Sequence, residues 1–93
     1  MQSTDGHEDL TDRVREILAK HGRLAVPVEN LKDDDNLFRA GLSSHANVAV
    51  MLALEDDFEV EFTDDMLRKE TFESVSAIRA AVSRLLAGAG TVA

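Results

Sequence analysis

The sequence predicts an all-α fold, a four-helix bundle with a long first loop and a short third helix. Apolar residues recur at helical spacing in three separate stretches: Leu10, Val14, Ile17 and Leu18; Val50, Met51, Leu54 and Phe58; and Val75, Ile78, Val82, Leu85 and Leu86. A single alternating run, Glu59-Val60-Glu61-Phe62, has no second strand to pair with and reads as an extended connector. With 93 residues, 44% of them hydrophobic, there is room for one small helical core and no second.

Residues 1–9 are polar, lack an apolar period, and are expected to form a mobile tail ahead of a domain spanning 10–87. Thr11 or Asp9 caps the first helix, Asp12 lies in its first turn, and Gly22 stops it after about His21. Arg23 to Ala40 holds the lone proline, Pro27, and the acidic run Lys32-Asp33-Asp34-Asp35. It reads as a long loop pinned by Leu24, Val26, Val28, Leu31, Leu37 and Phe38, an unusual length for a compact domain. The second helix covers His45 to Phe58, rich in Ala, Leu and Met and free of Gly and Pro. Thr63-Asp64-Asp65 caps the short third helix, Asp64 to Arg68, with Met66 and Leu67 turned inward. Thr71 or Ser74 opens the last helix; Gly88 and Gly90 end it, leaving a frayed tail over 88–93.

The chain is organised around Asp35-Asn36-Leu37-Phe38-Arg39-Ala40-Gly41-Leu42-Ser43-Ser44 and the helix that follows. Gly41 permits a backbone conformation that a Cβ resists, so it reads as the last loop position. Ser43 is a good N-cap, its hydroxyl able to accept a bond from a backbone N–H two or three residues on. That leaves Ser44 in the first turn, where free N–H groups and the helix dipole favour negative charge. On a helical wheel Val50, Met51, Leu54 and Phe58 suffice to face a small core. Val48 and Leu52 fall on a neighbouring edge near Ser44, Ala49, Glu55 and Asp56. Such an edge suits docking, although a broad helix buried on two sides would have the same spacing.

Several function classes are excluded. A formal net charge of −8, with aromatics at 4%, argues against nucleic acid and suits a basic partner surface. Without cysteine there is neither a disulfide framework nor a thiolate metal site. No apolar run approaches membrane-spanning length and no signal peptide is apparent, so the expected location is cytoplasmic. An EF-hand loop starting at Asp33 would put Phe38 where the turn needs glycine. Ser44 and His45 are adjacent and cannot face each other on a helix. The pairs Glu55/Asp56 and Asp64/Asp65 have no concave apolar site to shift their pKa values. The chain is not expected to be an enzyme.

Gly41-Leu42-Ser43-Ser44 and Leu54-Glu55-Asp56-Asp57-Phe58, followed by Val60-Glu61-Phe62-Thr63-Asp64, resemble the phosphopantetheine attachment region of acyl and peptidyl carrier proteins. The ordered pattern covers about residues 11 to 86. The resemblance implies a carrier bundle, with its long first loop, acting as a monomer. It also implies that a phosphopantetheinyl transferase attaches 4′-phosphopantetheine to Ser44. A cargo-loading ligase or synthase would then charge the arm, and downstream acyl-transferring enzymes would unload it. Partner docking would fall on His45, Val48, Ala49, Leu52, Glu55 and Asp56. Ser43 stands where the family usually has Asp, His45 where it has Leu, and Ala49 where fatty-acid carriers place Glu, which argues against ordinary fatty-acid synthesis. Gly41-Leu42-Ser43-Ser44 is also similar to stand-alone aminoacyl carriers loaded by ligases related to seryl-tRNA synthetase. An acyl cargo in general is the main reading and an aminoacyl one the narrower option. The alternative is an acidic helical adaptor that kept the fold and binds a protein partner without a prosthetic group.

Overall fold

The computed structural model describes residues 6–91, which form three α-helices: α1 (Gly6–His21), α2 (Ser44–Phe58) and α3 (Val75–Thr91). Single 3-10 turns at Val28–Asn30, Asp64–Met66 and Lys69–Phe72 punctuate the connections, and there is no strand among the described residues. The expected short third helix, Asp64 to Arg68, is therefore a single 3-10 turn over Asp64–Met66, with another following at Lys69–Phe72, and the described residues hold three α-helices instead of four. Leu67 N–H closes a tight bond to the Asp64 carbonyl (3.2 Å), and Arg68 then turns extended before an α-turn can propagate. A nucleus this short cannot offset the cost of fixing its dihedrals. Met66 is buried as expected, whereas Leu67 is exposed.

Both outer helices run further than their sequence signals suggest. α1 starts at Gly6, so residues 6–9, expected in the tail, belong to it, and neither Thr11 nor Asp9 is its cap. Residues 1–5 of the expected tail lie outside the described residues. At the other end α3 continues through Gly88 and Gly90 to Thr91, beyond the stop expected there. Gly88 is exposed, with nothing within 4 Å of where a Cβ would sit, and an exposed helix accepts such a glycine at a cost of about 1 kcal/mol without having to end. The expectation for residues 92–93 lies outside the described residues.

The core sits where the three helices meet. Val14 and Leu18 of α1, Val50 and Leu54 of α2, and Val75, Ile78 and Val82 of α3 are fully shielded from solvent. Ala46 and Ala81 are buried beside them, small enough to let the helices approach. Leu37, Leu42, Phe62, Met66 and Phe72 close the ends, the rings of Phe62 and Phe72 meeting at 5.3 Å between centroids in a tilted pair. Met51, Phe58, Leu10 and Leu85 pack partly against this core, whereas Leu86 of the α3 stripe is exposed.

The long loop is held by hydrogen bonds as much as by its apolar pins. Leu31 and Leu37 are buried, and Leu24, Val28 and Phe38 partly so, but Val26 is exposed, contrary to expectation. Arg15 of α1 donates to the carbonyls of Val28 and Leu31 (2.9 Å each) and to Asp33 Oδ1 (2.6 Å). One guanidinium fork thus clamps three points along the loop. From the other side, Leu37 N–H reaches the Glu73 carbonyl at 2.8 Å and Ser76 N–H the Asp33 carbonyl at 3.0 Å, tying the loop to the start of α3. The clamps fix the path by which the chain enters α2.

Candidate functional site

The start of α2 is built residue by residue. Asn36 Oδ1 accepts the Arg39 N–H at 3.0 Å, folding Asn36–Ala40 into a turn whose end bonds to Ala25 (Ala25 N–H to the Ala40 carbonyl, 2.8 Å). Gly41 follows at φ +111°, and a Cβ there would sit 2.7 Å from the Ala25 nitrogen. Both the dihedral and the close approach require glycine. Leu42 is buried and its N–H returns to the Leu37 carbonyl at 3.0 Å.

Ser43 is extended and caps the helix: its Oγ accepts the Ala46 N–H at 3.0 Å and its carbonyl takes the Asn47 N–H at 2.8 Å. Ser44 is the first helical residue and exposed, and its hydroxyl stands free of the capping bond that occupies Ser43. The N–H groups of Ser44 and His45 precede the first intrahelical bond and have no acceptor among the described residues. An open hydroxyl beside two free donors and the positive end of a helix dipole fits a group attached through a phosphodiester.

The residues expected on the docking edge fall along the same helix. His45, Val48, Leu52 and Asp56 are exposed, with Val48 at 52% and Leu52 at 54%. Ala49 is partly covered and, with Leu52, Ala53 and Asp56, lines a shallow groove shared with Ile17, Lys20 and His21 of α1. Glu55 differs from the others: partly buried, it accepts the Phe62 N–H at 2.9 Å and so anchors the connector after α2. That connector leaves through Glu59 in the left-handed region (φ 55°), with Val60 N–H closing on the Glu55 carbonyl at 3.1 Å. Arg13 pairs with Asp57 and lies over the Phe58 ring, fastening α1 to the end of α2.

One residue near Ser44 is not among those that the sequence singles out. Asn47, one turn on, heads the line Asn47, Val50, Leu54 that faces the core. Its Oδ1 is buried and accepts no hydrogen bond. A polar residue at i+3 from the serine, inside an otherwise apolar row, was the available signal. Elsewhere, Asp65 is held below the usual carboxylate range, first by the Thr63 hydroxyl, which donates to it at 2.6 Å, then by its own backbone N–H. Among the described residues there is no cluster of three or more potential metal ligands, and no helix is long and apolar enough to cross a membrane.

Comparison with known proteins bears directly on this serine-led helix. Residues 12–86 match the family model described as a phosphopantetheine attachment site. The aminoacyl carrier protein of Agrobacterium fabrum is 45% identical over 75 residues, covering 81% of this chain and 90% of that protein. A similar fold occurs in the crystal structure of an engineered Bradyrhizobium japonicum glycine:[carrier protein] ligase complexed with carrier protein from Agrobacterium tumefaciens and AMP. The match there is 44% identical, covers 78% of this chain and 97% of that one, and has a TM-score of 0.76. The Bradyrhizobium japonicum ligase complexed with glycylated carrier protein gives a match at 25% identity, 83% and 99% coverage and a TM-score of 0.62.

Proposed function

The chain belongs to the carrier-protein family that bears a phosphopantetheine attachment site, and we propose that Ser44 is the attachment residue and that the cargo is aminoacyl. Its prosthetic group is covalent 4′-phosphopantetheine, and it works as a carrier, not as an enzyme. When bound, that group supplies a terminal thiol on a long arm, on which a cargo is held as a thioester. The protein's own residues mount and present it. Gly41 and the Ser43 cap fix the first turn of α2, Ser44 offers an exposed hydroxyl, and the free N–H groups of Ser44 and His45 favour the phosphodiester charge.

The observation that carries the placement is the division of labour between two adjacent serines: one hydroxyl caps, the other is open. The aminoacyl cargo is supported by the likeness to an aminoacyl carrier protein and to carriers complexed with a glycine:[carrier protein] ligase. Partners of this chain are then a phosphopantetheinyl transferase, an aminoacyl ligase, and enzymes that take the aminoacyl group away. His45, Val48, Ala49, Leu52 and Asp56 form the edge these partners read. Glu55 flanks it, with one carboxylate oxygen already engaged by the connector.

The test of cargo is direct. The phosphopantetheinylated protein, incubated with ATP, amino acids and a glycine:[carrier protein] ligase, should gain the mass of one amino acid on the arm. The added mass should be released by hydroxylamine, as a thioester is. Efficient charging by a fatty-acyl or aryl-activating enzyme, with none by any aminoacyl ligase, would overturn the aminoacyl reading while leaving Ser44 in place.

A further inference from the structure

Resting on the aminoacyl reading above, we propose that the loading ligase lays a segment bearing carboxylates into the groove between α1 and α2, where Lys20 and Arg23 receive them. The chain carries a net charge of −8, yet this groove is basic at the end nearer Ser44. α1 and α2 run antiparallel there: Arg13 pairs with Asp57 at one end, and Lys20 and His21 line the groove with Ala49 at the other. Ala49 lies only about 8 Å along the helix from Ser44. Arg23 follows just beyond the end of α1, and the bond from the Ala25 N–H to the Ala40 carbonyl (2.8 Å) brings that stretch beside the attachment turn. Ile17, Ala49, Leu52 and Ala53 give the groove an apolar floor.

Many of the chain's carboxylates are engaged by its own fold. Arg15, the Ser76 hydroxyl and the Lys32 N–H hold Asp33, Asp34 and Asp35, while Arg13 holds Asp57 and lies 3.9 Å from Glu16. Lys20, His21 and Arg23, by contrast, have no ion pair among the described residues. The helix dipole accounts for Lys20 and His21 in the last turn of α1. It does not account for Arg23, which is exposed and sits past the helix at φ 51°, a left-handed backbone that glycine would hold without strain. A partner basic along its whole length, as the net charge alone suggests, would be repelled at this end. One with carboxylates facing Lys20 and Arg23, and a cation facing Asp56 further along, fits the groove in a single direction. The ligase suits this surface better than the transferase does. A transferase must bring coenzyme A to the Ser44 hydroxyl itself, whereas the ligase works at the far end of a long arm and can lie along the groove.

The test reads the charging kinetics of the phosphopantetheinylated protein with ATP, glycine and a glycine:[carrier protein] ligase. Lys20→Glu and Arg23→Glu should each raise the KM for the carrier by about three- to tenfold and leave kcat unchanged. Arg84→Glu, the same change of charge on an exposed position of α3, should leave KM where it was. Arg23→Gly should melt at least as high as the natural protein, because the left-handed backbone is relieved, and should still raise KM. Damage to the fold cannot produce that pair of results. Added salt should raise the KM of the natural protein and do less to the variant carrying both Lys20→Glu and Arg23→Glu. A lower KM in the glutamate variants would mean that the ligase is basic at this end. An unchanged KM would mean that it docks elsewhere, and an equal rise in Arg84→Glu that it senses net charge alone. Each of these three results overturns the proposal and leaves the aminoacyl reading standing. Absence of charging by any aminoacyl ligase would instead overturn that reading, and the proposal with it.

Discussion

The two faces of α2 carry the same kind of residue and meet opposite fates. Val50 and Leu54 look inward and are sealed from water, while Val48 and Leu52 look outward with half their surface exposed. A three-helix core of this size needs one stripe from α2, so the second apolar edge is left over once folding is satisfied. Apolar residues on a helix therefore do not all report burial, and the ones that do not are the ones available to partners. The outer edge starts at the attachment region and ends at Asp56, close to the Arg13–Asp57 pair that ties α2 to α1.

The largest expected effect breaks the inner face. Leu54→Ala should cost about 2–5 kcal/mol in chemical denaturation, as for other fully buried leucines. Met51→Ala, at a partly buried position, should cost less. Next comes the mounting that both faces share. Gly41→Ala must force a Cβ into the Ala25 backbone at positive φ, and a loss of about 1–3 kcal/mol is expected, with slower arm attachment because the turn before Ser43 shifts. Ser43→Ala should lose about 1 kcal/mol through the missing cap yet still accept the arm.

Leu52→Ala is the sharpest probe of the difference between the faces. Its stability should stay within about 0.5 kcal/mol of the natural protein, while its charging by the loading ligase slows. A stability loss equal to that of Leu54→Ala would merge the two faces into one core. Smallest of all is an effect away from both. The Thr63 hydroxyl holds Asp65 below its ordinary pKa, so the folded state favours the ionised carboxylate. This contribution is present above the unfolded-state pKa and is lost as pH falls through the lower folded value. Thr63→Ala should therefore be slightly less stable near neutrality, with the gap closing below about pH 4, and its charging rate should be unchanged.

What was legible in the sequence was what depends on local chemistry. Ser43 and Ser74 cap their helices because a hydroxyl there meets an N–H three residues on, at 3.0 Å in both cases. Gly41 takes the positive φ that its place before the cap demanded. The inward row Val14, Leu18, Val50, Leu54, Ile78 and Val82 followed from period alone.

What was not legible depends on partners distant in the chain. The sequence assigns the acidic run no partners, yet Asp33 meets Arg15, Asp34 accepts the Ser76 hydroxyl at 3.3 Å, and Asp35 caps the Lys32 N–H at 2.9 Å. Arg15 is one of several charged residues on α1 until the loop folds against it. Competition between α- and 3-10 geometry over 64–72 turns on single bonds that no periodicity encodes. Asn47 was visible as a residue but not as an orphan, since only the folded core reveals that its oxygen has no donor.

The central claim is that the arm is carried by Ser44, on the rim where the outer face begins. Intact mass after incubation with coenzyme A and a broad-specificity phosphopantetheinyl transferase tests it most directly. The natural protein and Ser43→Ala should each gain one phosphopantetheine, and Ser44→Ala should gain none while remaining folded. A gain that persists in Ser44→Ala would contradict the assignment, and no gain in the natural protein would return the chain to the role of an adaptor without a prosthetic group.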